Sequence, residues 1–76
     1  MKLYLFTTST CSKCMAIEEF MDDNDIIYTS MVIDENENAR TKATEFGVYS
    51  VPTIVREYDD GETQILTLSE LKNEIN

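Results

Sequence analysis

The chain has no histidine, only two cysteines, two glycines and one proline, and just six basic residues against fifteen acidic ones. Each shortage removes a class of function. A closed zinc site takes four Cys or His ligands, and one copy of this sequence cannot supply them. Secreted miniproteins stapled by several bridges are rich in cysteine and loop residues, which this chain is not. The formal charge of -9 repels phosphate backbones and anionic lipid surfaces, so neither nucleic acid nor a membrane is expected as a partner. No apolar run reaches the length of a signal peptide core or a membrane span. The nearest, Leu3 to Phe6, reads as a buried strand of a cytoplasmic protein.

Seventy-six residues suffice for one domain, 1-76, and leave no room for a second core. Strand-like and helix-like segments alternate with short punctuations, the pattern of a compact α/β domain. Leu3 to Thr7 reads as a first strand, followed by the polar loop Thr8-Ser9-Thr10. From Cys14 the apolar positions Ile17 and Met21, with Phe20 beside them, keep helical spacing until the polar run Asp22 to Asp25. Ile26 to Ile33, rich in β-branched residues, reads as a second strand parallel to the first. Asn36 or Asn38 caps the next helix, which has Ala39, Ala43 and Phe46 on one face and Gly47 at its left-handed end.

Thr53 to Tyr58 and Glu62 to Leu66 flank Asp59-Asp60-Gly61, a turn that favours an antiparallel hairpin. Thr67-Leu68-Ser69-Glu70 then has the form of a capping box, with Leu66 and Leu71 spaced as a hydrophobic staple. A terminal helix burying Leu68, Leu71 and Ile75 follows. The expected order is β-α-β-α-β-β-α, a four-stranded mixed sheet with three flanking helices.

The chemistry concentrates at Cys11-Ser12-Lys13-Cys14, where a strand gives way to a helix. A helix N-terminus presents unpaired amide donors and partial positive charge, which favour a thiolate over a thiol. Cys11 is therefore the expected nucleophile, the more exposed and more acidic of the two. Cys14, one helical turn on, would resolve the mixed disulfide. Lys13 either adds positive charge near Cys11 or points into solvent. The competing readings are a buried or purely structural cysteine pair, and a metal or iron-sulfur site built from two thiolates on each of two chains. Val51-Pro52 is the only X-Pro bond, and its local sequence favours an ordinary loop proline opening an edge strand over a cis bond.

Thr7 to Thr10, the Cys11-Cys14 pair, Phe46-Gly47-Val48-Tyr49-Ser50-Val51-Pro52-Thr53, and the final hairpin and helix together resemble the thioredoxin and glutaredoxin families. The resemblance spans nearly the whole chain. It implies a thioredoxin-like fold, Cys11 as attacking thiol, Cys14 as resolving thiol, Pro52 as a cis proline facing the disulfide, and the Val51 backbone pairing with substrate. The length resembles a glutaredoxin and the proline loop a thioredoxin. Ser12 and Lys13 stand where glutaredoxins carry Pro and Tyr, Thr8 where they carry a basic residue, and Leu66 to Ser69 where they carry a Gly-Gly pair. These departures weaken the case for glutathione recognition, although Thr67, Ser69 and the amides opening the last helix offer one carboxylate a binding place.

Lys13, Arg40 and Lys42 are the cations that would offset repulsion of such a ligand. The expected activity is reduction of protein disulfides by a monomer that binds no cofactor, cycling a Cys11-Cys14 disulfide. Ribonucleotide reductase is one electron acceptor the resemblance suggests. The electron source is a reductase or glutathione, and a glutathione-dependent glutaredoxin is the alternative enzyme.

Overall fold

The computed structural model describes residues 1–75. Its elements are β1 (Lys2–Thr7), α1 (Ser12–Asp23), β2 (Thr29–Val32), α2 (Glu37–Phe46), β3 (Thr53–Glu57), β4 (Thr63–Leu66) and α3 (Leu68–Ile75), in the expected order. The strands form one mixed sheet in the order β2-β1-β3-β4. β2 runs parallel to β1, with α1 as the connection, while β3 is antiparallel to both β1 and β4.

Period-two alternation in the strands divides the core between two sheet faces. Leu5, Ile54 and Leu66 stand side by side across three strands and pack with Ile17 and Met21 of α1 and Leu71 of α3. On the other face Tyr4, Phe6 and Val55 pack with Ala43, Val48 and part of Phe46. Ala39 and Ala43 are the buried residues of α2, so this helix contributes little apolar volume of its own. Aromatic contacts add to it: the Phe46 ring meets Tyr4 edge-on at 5.3 Å and Phe6 at 6.1 Å. Fully burying a large aliphatic or aromatic side chain contributes about 1.5–3 kcal/mol.

Local chemistry sets the element ends. Asn36, not Asn38, caps α2: its Oδ1 accepts the Ala39 N–H at 3.2 Å. Gly47 closes the helix at φ 72°, where a side chain is strained even though a Cβ would meet open space.

The second strand is shorter than the run Ile26 to Ile33 suggested. Asp25 turns the chain at φ 55°, and the Ile26 N–H closes α1 by donating to the Met21 carbonyl at 2.9 Å. Pairing with β1 begins only at Tyr4 and Thr29, so Ile26 and Tyr28 pack beside α1 while Ile27 is 92% exposed. Of the six ends of β1, β3 and β4, three shift by one residue and three stand as expected. Ile75 is also a correction, because it is exposed; α3 buries Leu71 fully and Leu68 in part.

Candidate active site

Strand pairing decides which loops meet. Phe6 lies opposite Thr53, so the loop leaving β1 and the segment entering β3 emerge at the same end of the sheet. Thr7 pairs with Val32, and Ile54 with Leu66, so the exits of β2 and β4 lie there too. Residues 8–11, Asp34, Pro52 and Thr67 are thereby gathered around one rim.

Cys11 is half-buried, extended at φ -86° and ψ 103°, and is the N-cap of α1. Its Sγ accepts the Cys14 N–H at 3.2 Å and is disulfide-bonded to Cys14, with a Cα–Cα distance of 5.3 Å. Cys14 is only 1% exposed, packed beneath the helix start. In a chain with fifteen acidic residues, the first turn of α1 contains none, and Ser12 and Lys13 stand exposed on it. The helix amides at Cys11, one of which donates to its Sγ, favour an anion there.

The loop before Cys11 is held from two directions. The Cys11 N–H donates to the Thr8 carbonyl at 3.3 Å, a tight turn. Asp34, just past β2, accepts the Ser9 N–H at 3.0 Å and the Ser9 hydroxyl at 2.5 Å. Those two hydrogen bonds, the hydroxyl's foremost, hold the Asp34 carboxyl below its ordinary range. Sequence reading missed this contact, whose partners are separated by 25 positions and carry no local motif.

The Val51-Pro52 bond is cis, as the family resemblance implied and against the ordinary-loop reading that the local sequence alone favoured. Beside it runs a groove of about 340 Å³, lined by Ile17, by Pro52 to Ile54, and by Ile65 to Leu68. None of these residues is charged. Met15, next to Cys14 on α1, and Tyr49, three residues before Pro52, are 69% and 92% exposed. A larger hollow of about 450 Å³, lined by residues including Leu3, Ile27 and Arg56, opens at the opposite end of the sheet, remote from the cysteines. Volume alone would select that hollow; the chemistry selects the smaller groove.

The remaining candidate residues divide. Thr67 borders the groove, but its N–H donates to Glu70 Oε1 at 3.0 Å and its Oγ1 accepts the Glu70 N–H at 3.1 Å. Ser69 is exposed and does not line the groove. Arg40 and Lys42 sit on α2, which packs on the other sheet face from the groove. Arg40 donates to the Ile33 carbonyl, and Lys42 lies over the Phe46 ring. Among the described residues, no group of three or more His, Cys, Asp or Glu side chains converges as a metal site.

The sequence matches the glutaredoxin family model over residues 3–58, most of the chain. The chain belongs to the glutaredoxin family. Similar solved structures include the thioredoxin-like protein BC3987, at TM-score 0.75, and its T8A mutant, at 0.77. Each is 25% identical and covers 99% of this chain and 100% of its own. Thioredoxin 1 from the thermophilic eubacterium Thermosipho africanus TCF52B is also similar, at TM-score 0.70 and 25% identity, covering 99% of this chain and 90% of that one. Among curated proteins, none matches the chain significantly in sequence. This glutaredoxin-family chain therefore has a thioredoxin-like fold, and its cysteine pair at disulfide distance is that of a thiol oxidoreductase. The family match ends at Tyr58, before β4 and α3, so of the departures from glutaredoxins Leu66 to Ser69 lie beyond it and Thr8, Ser12 and Lys13 within it.

Proposed function

We propose that this chain, acting as one monomeric cytoplasmic domain, reduces disulfides of protein substrates through Cys11 and Cys14. The observation that carries the reading is a half-exposed Cys11 at the N-terminus of α1, bonded to a buried Cys14. In the reduced state the Cys11 thiolate attacks one sulfur of the substrate disulfide. An S–S bond forms between Cys11 and that sulfur, and the other substrate sulfur leaves as a thiolate that takes up a proton. The Cys14 thiol then loses its proton and attacks Cys11 Sγ, closing the Cys11-Cys14 bond and releasing the second substrate thiol. Two electrons pass to the substrate, and a reductase or glutathione returns them.

Ser12 and Lys13 support the thiolate at the exposed first turn. Pro52, the Val51 backbone and Thr67 provide the substrate edge. The uncharged, largely aliphatic groove suits a protein segment better than a free carboxylate-rich thiol. Ribonucleotide reductase, whose catalytic cycle leaves a disulfide to be reduced, is a candidate acceptor. Turnover supported by thioredoxin reductase, measured beside turnover supported by glutathione and its reductase, tests the electron source. Cys14→Ser should accumulate a mixed disulfide through Cys11, detected by mass spectrometry, and Cys11→Ser should form none. Equal behaviour of the two variants would remove the dithiol mechanism.

A further inference from the structure

Resting on that reading, we infer that Asp34 is a positioning residue for the thiolate: acting through Ser9, it fixes the bend that delivers Cys11 to the start of α1. In a parallel ladder the bonds are evenly spaced, and every second residue of one strand both donates to and accepts from the other. Between β1 and β2 this pattern runs as far as Thr7, whose carbonyl accepts the Ile33 N–H at 2.9 Å. The next bond would join the Ser9 N–H to the Ile33 carbonyl. Two side chains stand in its place. Arg40 Nη1 donates to the Ile33 carbonyl at 3.0 Å, and the Asp34 carboxylate accepts both the Ser9 N–H, at 3.0 Å, and the Ser9 hydroxyl.

This exchange lets the chain leave the sheet without losing its anchor. Ser9 stays tied to the exit of β2, while the Thr8 carbonyl before it turns to accept the Cys11 N–H at 3.3 Å. Cys11 is thereby set in the extended conformation of an N-cap, where the Cys14 N–H reaches its Sγ at 3.2 Å. Among the described residues, no other side chain is hydrogen-bonded to residues 8–10. Both Ser9 bonds, and after them the charge of Arg40, favour the Asp34 anion, so the clamp is held charged while Arg40 offsets its field at the rim. The first turn of α1 adds the exposed Lys13, and the groove beyond carries no charge. What Asp34 supplies to Cys11 is geometry.

The test is the pH profile of Cys11 alkylation by iodoacetamide, a neutral reagent, in the reduced protein, with the labelled cysteine mapped by mass spectrometry. Asp34→Asn and Asp34→Ala leave the same net charge, but only the amide can still accept the Ser9 N–H and donate to the Ser9 hydroxyl. A loosened loop presents the helix amides less well to the sulfur. The midpoint for Asp34→Ala should therefore lie above that for Asp34→Asn, with about two- to five-fold less thiolate below the midpoint, the range expected of one helix-terminus interaction. Asp34→Asn, which loses only a like charge, should lie at or slightly below the wild type. Ser9→Ala should raise the midpoint by less than Asp34→Ala and add nothing when combined with it. Melts of the same proteins identify the folded ones; where Asp34→Ala does not fold, the Ser9→Ala shift decides. Coincident midpoints for the two Asp34 variants, a Ser9→Ala midpoint equal to the wild type, or a further rise in the double variant would each overturn the inference. Failure of the reduced wild-type protein to be oxidised by the neutral bis(2-hydroxyethyl) disulfide would instead remove the proposed function on which it rests.

Discussion

Breaking the Cys11-Cys14 bond should destabilise the fold by an amount that the structure bounds and that depends on pH. The bond closes a loop of about four residues, for which the chain-entropy model gives roughly 1.9 kcal/mol of stabilisation through the unfolded state. Reduction removes that contribution. It also frees Cys11 Sγ to ionise at the N-cap of α1, where the Cys14 N–H already points at it. A charge so placed stabilises the folded state by about 0.3–1 kcal/mol, leaving a net loss of about 0.9–1.6 kcal/mol where the thiolate is populated.

For a domain of this size the loss corresponds to a fall in Tm of roughly 4–12 °C. The sign of the pH effect follows from which form the helix favours. A group that ionises more readily folded than unfolded stabilises the fold at high pH, and that contribution is lost as pH falls and the thiolate is protonated. The gap between oxidised and reduced proteins should therefore be smallest near about pH 9 and reach its full value, about 1.9 kcal/mol, near about pH 5. By the same cycle, the folded couple should lie on the order of 20–40 mV below that of the unfolded chain. Circular-dichroism melts with and without a phosphine reductant, at both pH values, measure the gap. A reduced form as stable as the oxidised one at the lower pH would refute the loop argument, and a gap independent of pH would refute the helix-thiolate argument.

Two further substitutions test the supports of the site. Asn36→Ala removes the cap of α2 and should cost about 1 kcal/mol, with a fall in Tm of about 4–8 °C and no change in the rate of disulfide exchange. Asp34→Asn removes a carboxylate that Ser9 holds below its ordinary range, so its contribution is present above that range and is lost as pH falls through the lowered value. Wild type should therefore melt above the variant at neutral pH and converge with it in acid; a difference that persists in acid would assign the effect to shape rather than charge.

The features legible in the sequence are those carried by local period or local chemistry. The seven elements follow from the short apolar runs within β1 and β3, from the Cys14, Ile17, Met21 spacing, and from the Gly47 and Gly61 turns. The Thr67–Glu70 capping box is equally local, and both of its hydrogen bonds are formed. Ile26 to Tyr28 deceived because β-branched composition reports willingness to pair, whereas pairing needs a partner. The register with β1 provides none before Thr29. The isomer of Val51-Pro52 was not legible because cis and trans differ little in free energy for any X-Pro bond, and tertiary surroundings decide. Asp34 was hidden for a related reason: its partner Ser9 is near only once β1 and β2 are aligned. The box was visible as a helix device, but the place of Thr67 beside the groove appears only when β4 is registered on β3.

Charge placement then connects the site to the whole chain. A net charge of -9 would oppose a thiolate anywhere on the surface, and reactivity requires that one spot be spared. Cys11 occupies such a spot, because α1 begins with Ser12, Lys13 and a buried Cys14 while its four Asp and Glu residues start only at Glu18. The helix thus concentrates acid toward its C-terminal half, which is unfavourable for its own dipole, and keeps its N-terminus free for the sulfur. The arrangement trades some helix stability for a site where an anion can form. At α3 the opposite choice is made, with Glu70 seated in the first turn. That placement suits the dipole of α3 and completes the capping box with Thr67, so the two helices place their acid differently: α3 carries it at its start, where it stabilises the helix, and α1 keeps its start clear of acid for the sulfur.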